Sequence, residues 1–243
     1  MTKGIVYYTD NNLTGIRLRA FGGVELDPLV KKLILQSNLP IVSVSLKPIE
    51  NFGKNIVLNK KPNVVTMTEQ ILTGLEAIDT DYVFFCEHDI LYHPSHFNFT
   101  PPTNDAYYCN TNTWKWDYNS DRVVTHDIET SLFICASREK LLNHYRIRLR
   151  TIYERGCDKM ISRNPKWLRK MGYEPGKPTK RGGIMDEKIT AWKSAHPNIN
   201  VRHRRTITPK KMDLADFVHK PTGYTESTVD KIWPEEDFKM LFS

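Results

Sequence analysis

Residues 81–92 read DYVFFCEHDILY. DYVFFC is apolar at nearly every position, the pattern of a strand covered on both faces in a parallel sheet. The run then meets Glu87, His88 and Asp89 before turning apolar again. Side chains alternate across a strand, so Glu87 and Asp89 are expected on one side and His88 on the other. Two carboxylates about 6 to 7 Å apart along one edge repel each other unless a cation lies between them. A hard divalent ion, Mn²⁺ or Mg²⁺, is the natural occupant, commonly completed by substrate phosphates. Solvated residues of a turn are the plainer reading of the same triplet.

Working outward, the chain alternates between strand and helix signals. GIVYYTD (4–10) is a β-rich run ending in polar residues. DPLVKKLILQSN (27–38) has helical spacing, with Asp27 as a cap and Pro28 at the first helical position. IVSVSL (41–46) follows as a strand, and TMTEQILTGLEAID (66–79) places Ile71, Leu72, Leu75 and Ile78 on one helical face. Beyond DYVFFC, strands are expected at DAYYCNT (105–111), SLFICAS (131–137) and NINVRHRR (198–205). Helices are expected over 138–156 and over DEKITAWKSA (186–195). This β-α-β-α-β order predicts an α/β fold with a mostly parallel sheet sandwiched by helices. In such folds ligands bind beyond the carboxyl ends of the strands, which is where Glu87-His88-Asp89 falls.

The chain has 243 residues, enough for one sizeable core and too few for several domains. Hydrophobic residues at 40% and charged residues at 26% are ordinary for a globular protein and argue against disorder. No stretch approaches the ~18 apolar residues of a membrane span. The N-terminus MTKGIVYYTD lacks the layout of a signal peptide, so the cytoplasm is the expected compartment. Cys86, Cys109, Cys135 and Cys157 form no CxxC pair, and three of them lie in apolar stretches. They read as small buried hydrophobes in a reducing compartment. The net charge of +7 is uneven: residues 144–181 carry twelve Lys or Arg against three acidic residues. That block reads as a solvated insertion or as a surface for a polyanion.

A helix, an apolar strand, the triplet Glu87-His88-Asp89 and then HPSHF (93–97) together resemble the nucleotide-sugar-binding half of GT-A-fold glycosyltransferases. The likeness is closest to the family 2-like group with its small bacterial and phage members, and extends over most of residues 4–205. It implies a GT-A-like, Rossmann-like fold in one domain, 1–243, with a basic helical insertion at 144–181 and a C-terminal extension at 209–243. It further implies a nucleotide-sugar donor and a Mn²⁺ or Mg²⁺ ion bridging the donor phosphates. Asp89 would be the main metal ligand, and Glu87, standing where the family usually has Asp, the ribose or water contact. His203 would complete the metal site, with His219 as second choice.

The same resemblance assigns the donor side. Thr9, Asp10 and Asn11 would meet the base or ribose, and Gly53 and Lys54, in the loop after the second strand, the nucleotide and its phosphates. Arg204, Arg205 and Thr208 would reach the diphosphate as it gains charge. Inverting transfer needs a base for the acceptor hydroxyl. GGIMDEKITAW (182–192) is similar to the family's helix-opening acidic pair, giving Asp186 as base and Glu187 in reserve, although the order is reversed. Both acids would equally suit a helix N-terminus with no catalytic role.

Trp114 and Trp116 alternate onto one face if NTWKWDYN is extended, as an acceptor-binding platform or as core. A zinc site from His88, His93 and His96 is disfavoured, because Pro94 breaks any helix that would converge His93 and His96. A nucleotidyltransferase is the main enzymatic alternative, but YTDNNLTG after the first strand is not a Gly-rich phosphate loop. A nucleic-acid-binding protein with a degenerate transferase fold would account for the basic block alone. An anionic acceptor, DNA or a glycolipid, would reconcile that block with a transferase.

Overall fold

The computed structural model describes residues 1–19, 22–127, 133–156, 158, 189–204, 206 and 211–242. Strand β1 (Lys3–Thr9) leads through a small hairpin, β2 (Arg17–Leu18) and β3 (Val24–Glu25), into helix α1 (Leu26–Leu35). Then come β4 (Ile41–Ser45), β5 (Lys54–Val57), α2 (Val64–Ala77), β6 (Tyr82–Glu87) and the short β7 (Ile90–Leu91). Further along are β8 (Tyr107–Asn110), β9 (Thr113–Asp117), β10 (Arg122–Thr125), β11 (Ile134–Ser137) and α3 (Arg138–Glu154). The chain closes with β12 (Ile189–Trp192), β13 (Asn198–Arg202), β14 (Thr225–Thr228) and α4 (Glu235–Phe242).

The main sheet has the order β12-β8-β11-β6-β1-β4-β5. Among its described strands, β11 alone runs against the others. The α/β architecture with a mostly parallel sheet flanked by helices is therefore the one expected. Strands β1 and β6 lie at its centre, which is why their residues are buried almost throughout.

Period-two alternation divides their side chains between two cores. Val6, Tyr8, Val83 and Phe85 pack with Ile71 and Leu75 of α2 and with Leu141 and Tyr145 of α3. Ile5, Tyr7, Phe84 and Cys86 pack on the other face, against Leu26 and Leu33 of α1 and Trp116, Ile199 and Val201. Those last three belong to a second sheet, β14-β10-β9-β13-β7, that the sequence pattern did not reveal. One face of the main sheet is thus covered by two helices, the other by a helix and a sheet.

Helix α2 is capped by Asn63, whose side chain accepts from the Thr66 amide at 2.9 Å. Helix α1 starts at Leu26 after Glu25, so Asp27 lies in its first turn and pairs with Lys31 at 2.6 Å instead of capping it. Ile189–Trp192, expected within a helix, is instead strand β12, parallel to β8. The short run of β-branched and aromatic residues suits a pleated sheet edge. Trp192 is fixed there by stacking on Phe99, with ring centroids 4.2 Å apart.

Cys86, Cys109 and Cys135 are buried thiols, as their apolar settings suggested. The extension beyond residue 209 is built into the fold: β14 pairs with β10, and the Trp233 indole donates to the Pro197 carbonyl at 2.7 Å. No helix among the described residues is long and apolar enough to cross a membrane. Asp186, Glu187, Arg205, Thr208 and most of the basic segment 144–181 lie outside the described residues.

Candidate functional site

Strand order reverses beside β1. The chain moves through α1 to β4 and β5 on one side of it, then returns through α2 to β6 on the other. The carboxyl ends of β1 and β6 therefore flank a topological switch point, where open α/β sheets leave a crevice for ligands. Thr9-Asp10-Asn11 and Glu87-His88-Asp89 both sit there, held together by direct contacts. His88 Nδ1 lies 2.8 Å from the Thr9 hydroxyl and 3.8 Å from an Asp10 carboxylate oxygen.

The backbone around these residues is fixed from behind. Gln70 on α2, within the interior, donates its amide to the carbonyls of Thr9 (2.8 Å) and Val44 (3.1 Å). It ties the ends of β1 and β4 together. Asn11 adopts a left-handed φ of 57°, which Asn tolerates. Its side-chain oxygen accepts from the amides of Leu46 and Lys47, both at 2.8 Å. Asn11 thus fastens the β1 loop to the β4 loop, while the partly exposed Asp10 carboxylate stands at the rim.

The triplet divides differently from the alternation rule. Glu87 ends β6 with the parity of Val83 and Phe85, so its carboxylate faces the helical layer and accepts from the Tyr8 hydroxyl at 2.7 Å. Residues 88 and 89 form a turn into β7, and there the strand period lapses. As a result Asp89 points toward the second sheet, where its Oδ2 lies 3.6 Å from Nε2 of His203. His88 joins them: one ligand atom each from His88, Asp89 and His203 all fall within 4.8 Å of one another. The expected pairing of Asp89 with His203 is present, Glu87 is not part of this cluster, and His88, expected to face away, is.

Asp89 is only 9% exposed. Burial pushes its carboxyl up, but the neighbouring His203 imidazole and the charges of His88 and Arg202 outweigh it and hold Asp89 below its ordinary value. Arg202 is buried at the end of β13, and burial lowers its own affinity for a proton against the pull of Asp89 and Glu87. A second cationic group flanks Arg202: Lys115, 2.9 Å from Nε2 of His126. Burial, then the charges of Arg202 and Lys211, bring Lys115 down to about 8.

The remaining sequence candidates fall elsewhere. Lys54 pairs with Val42, near the amino end of β4, so Gly53 and Lys54 lie at the wrong end of the sheet for a ligand beyond Ser45. The close approach that Gly53 permits is to the protein itself: a Cβ there would meet the Ile41 carbonyl oxygen at 2.3 Å. Lys47 is the lysine of that loop nearest the site, through Asn11. Arg204 is exposed, one residue past His203. Trp116 is fully buried and its indole donates to the Ser120 carbonyl at 2.7 Å, so it is a core residue with no face to offer an acceptor. Trp114 is half-buried beside the same core. His96 is also interior, and its Nδ1 accepts from the amides of Asn110 and Asn198.

A site of one carboxylate and two imidazoles suits a divalent ion that accepts mixed nitrogen and oxygen donors. Manganese fits such a set better than magnesium, which favours oxygen and water. The ionised state of Asp89 is the form a ligand needs. Gln70, Tyr8 and Arg202 were not singled out in the sequence, and His88 was expected on the other side of the strand. For His88 the available signal was the short apolar ILY after the triplet, which calls for a turn at residues 88–89.

No protein-family model matches the sequence, and no curated protein does. Among solved structures, the chain is similar to a glycosyltransferase involved in the glycosylation of the major capsid of PBCV-1. That likeness has a TM-score of 0.44 at 11% identity and covers 79% of this chain and 82% of the other. It is also similar to a nucleotidyl transferase from Methanothermobacter thermautotroptrophicus, with a TM-score of 0.41 at 11% identity over 60% and 76% of the two chains. A third is CMP:2-keto-3-deoxy-manno-octonic acid synthetase complexed with CTP, at 0.37 and 12% identity over 60% and 78%. At these values the likeness is coarse and concerns the fold alone.

Proposed function

We propose that this protein is a metal-dependent, inverting glycosyltransferase that moves a sugar from a nucleotide-sugar donor to an acceptor hydroxyl. The observation that carries the reading is the convergence of an ionised, nearly buried Asp89 with His88 and His203 at the sheet's switch point. A nearly buried carboxylate beside two imidazoles offers a divalent cation one oxygen and two nitrogen donors at a single place.

Asp89, His88 and His203 are the residues that would hold the ion, Mn²⁺ in preference to Mg²⁺. Such an ion, when bound, neutralises the charge that builds on a departing nucleoside diphosphate. Arg202, buried next to Asp89, adds a fixed positive charge on the same side, placed before the reaction begins. Thr9 and Asp10 border the place where a nucleoside would lie. Thr9 orients His88 through its hydroxyl, and Asp10 presents a carboxylate suited to ribose hydroxyls. Asp186, with Glu187 in reserve, is the proposed base that takes the proton from the attacking hydroxyl. The acceptor is proposed to be anionic, DNA or a glycolipid, drawn to the basic segment 144–181. Titration with UDP-, GDP-, CDP- and dTDP-sugars in the presence and absence of Mn²⁺ tests the reading, since one donor should bind only with the ion.

A further inference from the structure

Strands β7 and β13 form a short antiparallel ladder, with Leu91 opposite Ile199 and Ile90 opposite Asn200. Asp89 and His203 lie beyond one end of it. Beyond the other end lie His93 and His196, and there Asp237 of α4 joins them. From residue 89 to residue 93 an extended chain covers about 13 Å, so one ion cannot serve both ends.

We infer that His93, His196 and Asp237 form a second metal site, one that takes Zn²⁺ or a similar transition ion. His93 Nε2 is 3.1 Å from Asp237 Oδ2, and one ligand atom from each of the three residues lies within 4.8 Å of the others. Two donors each about 2.1 Å from a tetrahedral zinc are about 3.4 Å apart, close to the 3.1 Å between His93 and Asp237. The imidazoles of His93 and His196 are adjacent, with ring centroids 4.5 Å apart, and the Trp233 ring packs edge-on against His93 as an apolar wall.

The surroundings fix the orientation of the His93 ring. Ser95 holds its Nδ1 side, the hydroxyl 2.8 Å away, and leaves Nε2 aimed at Asp237. For Nε2 to ligate, the ring proton would have to sit on Nδ1 toward the Ser95 oxygen, in place of the bond that Nδ1 accepts from the Ser95 amide at 3.1 Å. The same oxygen accepts the His196 amide at 3.1 Å, so one hydroxyl orients both histidine-bearing segments. Zinc at this position joins the C-terminal helix to the ladder that presents Asp89 and His203.

The test uses the full chain and Zn²⁺ alone, with uptake measured by competition with a chromophoric chelator and thermal melting followed in parallel. Asp89→Ala, which disables the first cluster, should still take up one Zn²⁺ per chain and melt at a higher temperature with it. Adding Asp237→Asn or His196→Ala should each weaken uptake at least tenfold and remove the gain in melting temperature. Asp237→Asn retains an oxygen that accepts from His93, so it separates loss of a ligand from loss of a hydrogen bond. The proposal is overturned if Asp89→Ala takes up no zinc, or if either double variant binds it as Asp89→Ala does.

Discussion

Asp89 Oδ2 and His203 Nε2 lie 3.6 Å apart, joining the turn after β6 to the end of β13. The contact spans both sheets, and a backbone hydrogen bond from the Val201 amide to the Asp89 carbonyl, at 2.9 Å, holds it in register. If His203 is a ligand and not only a neighbour, His203→Ala should lower Mn²⁺ affinity by at least tenfold while the chain stays folded. Calorimetric titration with Mn²⁺ checks this, and unchanged affinity would remove His203 from the site.

Gln70 carries the support behind the switch point. Its amide donates to the Thr9 and Val44 carbonyls inside the protein, and Gln70→Leu leaves both without that donor. Loss of buried hydrogen-bond partners of this kind costs about 1–3 kcal/mol. Urea denaturation should show a drop in that range, together with weaker donor binding as the Thr9 backbone loosens. A change in stability with no change in donor binding would separate Gln70 from function.

Gly74 is where α2 touches β1. A Cβ at this position would stand 2.5 Å from Val6 Cγ1 and 3.3 Å from Val44 Cγ2. Alanine ordinarily gains up to about 1 kcal/mol over glycine in a helix. Overpacking here costs about 1–3 kcal/mol, so Gly74→Ala should be net destabilising. A more stable variant in thermal melting would mean the helix can move away from the sheet freely.

His96 gives the protein a built-in sensitivity to acid. Burial brings it from its ordinary 6.5 down to about 3, and the neutral ring accepts from Asn110 and Asn198. The folded form binds its proton less readily than the unfolded chain, so stability is fully present above about pH 6.5 and falls as pH drops toward 3. A tenfold difference in proton affinity between the folded and unfolded chain is worth ~1.4 kcal/mol, so the whole effect is several kcal/mol. Asp89, held below its ordinary 3.8, adds to the loss as pH falls below about 3.8. Denaturant titrations between pH 7 and 4 check the slope, and a flat profile would contradict a neutral His96 in the fold.

The sheet was legible in the sequence because β1, β4 and β6 are apolar runs separated by helices of the right spacing. The second sheet was not, because its strands are short and mixed in polarity: β7 has two residues and β14 reads TEST. Their pairing is decided by tertiary contacts, as is that of Ile189–Trp192, whose four residues carry no period long enough to separate strand from helix. Asp89 and His203 lie together as expected, but His88 and not Glu87 is the third residue beside them. Alternation assigns faces only while a strand lasts, and β6 ends at Glu87. Gly53 and Lys54 were misplaced because the loop from β4 to β5 starts beside the site and runs back along the sheet before β5 begins.

The central claim is that Asp89 anchors a metal-dependent site for a nucleotide sugar. The most direct measurement is equilibrium binding of a panel of UDP-, GDP-, CDP- and dTDP-sugars to the wild-type chain and to Asp89→Ala, each with and without Mn²⁺. At least one donor should bind the wild type only when Mn²⁺ is present, and that binding should be lost in Asp89→Ala while the variant keeps its fold. Binding that is indifferent to both Mn²⁺ and Asp89, or no binding of any donor by the folded wild type, would contradict the claim.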